Sequence, residues 1–146
     1  MGDLTKNLSR YEFKCKCAYP ECTRTIVDFA LPSVIQDAID HFAHIEKQRS
    51  PVFSRVSCHV NSGHRCLKHD NDETDGKSSH IHTFGMGGDI WMEYVYSDGR
   101  DRKKVSDDDI ADYFEIRYPD EYGIGRYNGR THIDTRPDGP ARWDNR

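Results

Sequence analysis

The chain has 146 residues, 35% hydrophobic and 32% charged, which suits a single domain spanning 1–146 and is too short for two comfortable ones. Its 21 Lys and Arg against 25 Asp and Glu give a net charge of −4, removing the electrostatic case for nucleic acid or an anionic membrane surface as partner. No stretch approaches the roughly 20 apolar residues of a membrane span, and "MGDLTKNLSRYEF" has no apolar signal region, so a soluble monomer made in the cytoplasm is expected.

Residues 1–30, broken by Pro20 and three cysteines, read as an irregular segment wrapped around the core. From Leu31 the pattern changes. Val34, Ile35, Ala38, Ile39, Phe42 and Ile45 recur at steps of three and four, the stripe of an amphipathic helix from about Pro32 to Lys47. Val52, Ser54, Val56, Cys58 and Val60 then alternate with larger or polar residues at the period of a strand. Residues 61–81 are polar and turn-rich, and a loop that long in a small domain is usually functional.

"DIWMEYVYS" reads as a second strand. Ser106 followed by three aspartates is a helix N-cap with acidic residues in the first turn; Ile110, Tyr113 and Phe114 supply that helix's buried stripe. Asn128-Gly129 marks a hairpin inside "GIGRYNGRTHIDT". From Asp144 the tail is expected to fray. The fold class is α+β: a central antiparallel sheet with a long N-terminal helix and a short inserted one.

Five cysteines, Cys15, Cys17, Cys22, Cys58 and Cys66, are an odd number and argue against a full disulfide framework. Cys15, Cys17 and Cys22 lie close enough in "CKCAYPEC" to share a metal with a fourth ligand. A C-x-C-x4-C spacing is not a standard zinc pattern, however, and partly buried free thiols are the alternative. Cys58 reads as a core thiol.

The residues that carry chemistry lie in two blocks. In "HTFGMGGDI" a Gly-rich stretch joins His82 to Asp89. In the last strand of the hairpin, His132 and Asp134 are two apart and share a face. Zinc binds His nitrogen and carboxylate oxygen, and a catalytic site uses three protein ligands with one position left for water. His82, Asp89 and His132 would meet that need. Asp134 could then orient the His132 ring or take a proton from a metal-bound water. The plain alternative makes His82 a loop histidine and Asp89 a turn residue.

"NSGHRCLKHDN", "HTFGMGGDI" and "GIGRYNGRTHIDTRPDGPARW", in that order, resemble the signature blocks of zinc D-Ala-D-Ala carboxypeptidases and murein endopeptidases. "LSRYEFKCKC" resembles the opening of small phage and bacterial members. The resemblance implies a hedgehog/DD-peptidase-like fold and Zn²⁺ held by His82, Asp89 and His132. Some relatives use the second residue of the last pair as ligand, which here would be Asp134. Arg65 would bind a substrate carboxylate, a task suited to its planar fork. Three positions depart from the family pattern: His64 stands for Tyr, His80 for Ser and Gly87 for Ala. His80, two before a ligand, is a candidate transition-state donor or extra ligand; an exposed loop histidine is the alternative.

The function so implied is hydrolysis of a peptide bond in the stem peptides of bacterial peptidoglycan, as a carboxypeptidase or an endopeptidase. An endolysin or a virion-associated lysin of a bacteriophage fits the missing signal sequence. The rival readings are a catalytically silent zinc module of the same fold in a phage particle and a structural phage protein with incidental histidines.

Overall fold

The apolar steps beginning at Leu31 form helix α1, Ala30–Arg49. Leu31, Val34, Ile35, Ala38, Ile39 and Phe42 are buried on one side, all but the small Ala38 contributing roughly 1.5–3 kcal/mol of transfer free energy each. Pro32 lies inside the first turn, where its missing N–H had no helical partner to lose, so the helix starts two residues before it. Pro51 follows the C-cap Ser50 and fixes the end. The structure, a computed structural model, describes residues 2–146.

Six strands form one mixed sheet: β1 Phe53–Ser62, β2 Gly87–Tyr96, β3 Lys103–Lys104, β4 Gly123–Tyr127, β5 Arg130–Asp134 and β6 Ala141–Asp144. The order is β1-β2-β5-β4-β6, with β3 paired to β2. Two further helices, α2 (Leu67–Thr74) and α3 (Asp107–Arg117), make the class α+β. Helix α1 and α3 cover one face, where Val56, Val60, Ile90, Met92, Ile124 and Ile133 meet Ile110, Ala111 and Phe114. Ser106 caps α3 by accepting the Asp109 amide at 3.3 Å, and β4 and β5 turn over at Asn128-Gly129. No helix among the described residues is long and apolar enough to cross a membrane.

At the end of the chain the Asn145 amide bonds the Arg126 carbonyl at 2.9 Å, and Arg146 pairs with Asp108 at 2.6 Å. Two expectations are corrected. The sheet is not purely antiparallel, because β6 runs parallel to β4. The polar stretch 61–81 contains α2, which has no apolar stripe to announce it. Its one buried residue is Asp70, so charge and hydrogen bonds hold it down rather than hydrophobic burial.

Part of the N-terminal segment packs on the core. Leu8 and Phe13 are fully buried, and Gln36 on α1 hydrogen-bonds Thr5 and Asn7. The Phe13 carbonyl accepts the His64 amide at 2.8 Å, which fastens this segment to the end of β1.

Candidate metal centre

Antiparallel pairing of β2 with β5 sets Asp89 directly opposite His132 and Gly87 opposite Asp134. Side chains opposed in this way share a face of the sheet. The third group comes from the loop before β2, which turns at Gly85. That residue has φ +71°, and a Cβ there would lie 2.3 Å from the Ile26 carbonyl oxygen. A glycine is required by both the left-handed backbone and the close approach. The turn swings His82 back over the strand, and His82, Asp89 and His132 end with donor atoms within 4.8 Å of one another.

The three residues are 9%, 6% and 6% exposed respectively. Burying such groups is costly unless each is hydrogen-bonded, and each is. His82 Nδ1 lies 2.8 Å from the Gly63 carbonyl. A carbonyl only accepts, so Nδ1 carries the hydrogen. Burial pushes the His82 pKa down, which leaves a neutral ring with its Nε2 lone pair 3.6 Å from Asp89 Oδ2. His132 Nε2 meets Asp134 Oδ2 at 2.7 Å, and its Nδ1 meets Asp89 Oδ1 at 2.8 Å. Burial works against a charged His132, but the two flanking carboxylates outweigh it and hold its pKa above the ordinary value. The nitrogen and oxygen between His132 and Asp89 are thus a pair that shares one positive charge, proton or metal. Two imidazoles and a carboxylate fit zinc, with His82 Nε2, Asp89 and His132 Nδ1 as donors.

Asp134 is fully buried and its oxygens are already engaged. It accepts Arg136 Nε at 2.7 Å and Nη2 at 2.7 Å, the amides of Gly123 and Arg136 at 3.2 Å each, and the His132 ring. Burial raises its pKa, but these donors prevail and hold it well below the usual carboxylate range. Of the two roles open to Asp134, this geometry supplies the orienting one; the proton-carrying role expected of it would require the Arg136 bonds to open. The room for this carboxylate comes from Gly123, where a Cβ would sit 2.3 Å from Asp134 Oδ2.

Arg65 stands beside the donors. Its Nε donates to Ser62 at 3.0 Å, Nη1 reaches Asp70 at 3.4 Å and Nη2 lies 3.6 Å from Asp89. A cleft of about 260 Å³ opens next to it, lined also by Lys14, Lys16 and His69, so the wall is basic. His80 is not one of the converging donors. It has φ +62°, its side chain is nearly half exposed, and its Nδ1 lies 4.0 Å from Asp70. His64 is buried with an unpaired Nδ1 and is likewise outside the donor group. A cavity of about 530 Å³ between α1 and α3 contains none of these residues.

The chain matches no family model, no curated protein and no solved structure with which it was compared.

Sequence reasoning missed two residues that build this region, Asp70 and Arg136, and placed a third, Trp143, only as packing back on the sheet. Asp70 gathers Arg65, Ser78 and Thr83 around one carboxylate. Arg136 locks Asp134. Trp143 lies 5.1 Å from the His132 ring, centroid to centroid, over Gly125, where a Cβ would meet its ring at 2.4 Å. The sequence signal available for Trp143 was the pair Gly123 and Gly125 at period two in a strand, a mark of close approach.

Proposed function

We propose that the chain is a zinc peptidase that hydrolyses a peptide bond in the stem peptides of bacterial peptidoglycan. The observation that carries this reading is the convergence of His82, Asp89 and His132, each with a lone pair or carboxylate oxygen turned inward. That set lies in the blocks that resemble the zinc carboxypeptidases and endopeptidases, with Arg65 next to it. Zinc held there supplies Lewis-acid chemistry, acidifying a water and polarising a carbonyl oxygen.

The chain's own groups do the rest. Asp134 positions His132, and the Gly63 carbonyl positions His82, so two ligands keep a fixed tautomer and angle. Arg65, already held by Ser62, Asp70 and Asp89, would meet a stem-peptide carboxylate through its remaining N–H groups and set the register of the scissile bond. Lys14 and Lys16 add to the attraction for an anionic peptide. With Asp134 engaged by Arg136, His80 at the exposed end of the loop is the group free to hand a proton to the leaving amine. Action on the cell wall as an endolysin or virion component belongs to the same proposal.

A second reading, a zinc-binding module without turnover, draws support from that same engagement of Asp134, since no buried carboxylate is left free to serve as base. One experiment decides between them. Purified protein and the His82→Ala variant are incubated with peptidoglycan, and released amines are measured beside metal content. Amine release that disappears with one equivalent of zinc in the variant supports the peptidase. Zinc bound through His82 with no amine released from several wall types supports the module.

A further inference from the structure

Cys15, Cys17, Cys22 and Cys66 come together with all four Sγ atoms within 4.8 Å of one another. Three of them arrive from the N-terminal segment, and the fourth is the residue after Arg65, at the start of α2. The Cys17 and Cys66 sulfurs are 3.8 Å apart, far beyond the 2.05 Å of a disulfide. Four sulfurs placed tetrahedrally around zinc at about 2.3 Å lie about 3.8 Å from each other, so this spacing is that of a zinc tetrathiolate edge. A backbone amide also aims at the sulfurs: the Cys66 N–H donates to Cys15 Sγ at 3.3 Å. Cys58, in the middle of β1, is not part of the group.

We propose that these four cysteines form a second, closed zinc site whose role is structural. Four protein donors leave no position for water, unlike the three-donor site on β2 and β5. The metal would fasten the otherwise irregular segment 14–23 to the loop that presents Arg65, in a region with little apolar burial to hold it.

The test is metal content by mass spectrometry on the full chain purified with zinc under reducing conditions, wild type beside His82→Ala. Two equivalents in wild type and one in His82→Ala support both sites. One equivalent in wild type and none in the variant overturns the cysteine site and leaves the peptidase reading standing. One in each overturns the His82 site and keeps this one. Replacement by cobalt in His82→Ala needs no cysteine variant to fold. Strong thiolate-to-cobalt charge-transfer bands are expected; their absence, or four sulfurs that react at once with a thiol reagent in the native zinc-loaded protein, overturns the proposal.

Discussion

The histidine-aspartate group and the cysteine group are separated by only a few residues of chain, since Gly63 anchors His82 while Cys66 belongs to the thiols. They are nevertheless built on different supports. Two donors of the first stand on paired strands, Asp89 opposite His132 in register; His82 is pinned from the adjoining loop, and a hydrogen-bonded carboxylate or carbonyl lies behind each ring. The second stands on irregular backbone, with three of its four sulfurs in residues 15–22. A sheet can hold donors still without a metal; a loop cannot. Three donors on a rigid support suit a site that must keep one position open, and four on a loose one suit a site whose metal does the holding.

The sharpest way to separate the two is Asp89→Ala. It should remove one equivalent of metal and essentially all peptidase activity. Lewis-acid stabilisation of several kcal/mol corresponds to a loss of about a thousandfold or more in kcat. The cobalt–thiolate spectrum should stay unchanged. Loss of both metals together would show that the two groups are not independent.

Asp134→Asn probes the support behind the first group. A positioning residue should lower zinc affinity by about 10–100-fold while activity returns at saturating zinc. If kcat collapses with zinc fully bound, Asp134 carries the proton after all, and the Arg136 bonds must open during turnover. Titration with a chelator beside kcat at several zinc concentrations distinguishes the two.

The support on strands was legible in the sequence and the loop support was not, for a physical reason. His132 and Asp134 declare a shared face through the period of a strand, and α1 declares its buried side through steps of three and four. Helix α2 declares nothing, because its inward residue is Asp70 and its stability comes from hydrogen bonds that only the fold assembles. The fourth cysteine was visible as a residue but not as a partner, since 43 positions lie between Cys22 and Cys66. Strand β6 escaped because its pairing is parallel and depends on Gly125, which lets Trp143 lie down on β4.

Asp70→Asn tests the brace that joins the two regions. Asp70 accepts from Ser78, Thr83 and Arg65; burial raises its carboxyl pKa, but these donors outweigh burial and hold it below the ordinary value. The loss expected at pH 7 is about 1.5–3 kcal/mol, the range for hydrogen bonds to a charged group. The sign with pH follows from the depressed folded-state value. Its contribution is fully present above the unfolded carboxyl value of about 3.9 and is lost as pH falls through the lower folded value. Denaturant unfolding of wild type and Asp70→Asn should therefore differ most near neutrality and converge in acid. A constant gap across pH would place the stabilisation in shape rather than charge.

The smallest effect is expected at Gly87→Ala, which restores the residue usual in the family that these blocks resemble. A Cβ there would lie 3.0 Å from Ile81 Cγ2 and 3.2 Å from His82 Cε1. The Ile81 side chain is only partly buried and can move by the few tenths of an ångström required. The His82 ring is pinned by Gly63, so any remaining pressure falls on the angle of a ligand. Gly85 has no such freedom, because there the clash is with backbone. Removing glycine's extra freedom in the unfolded chain offsets the crowding by about 0.4–1 kcal/mol, so net stability should change by less than about 1 kcal/mol. A change in zinc affinity without a change in stability would mean that the methyl group reaches the metal centre through His82, and that the alanine of the family pattern sets a ligand angle rather than filling space.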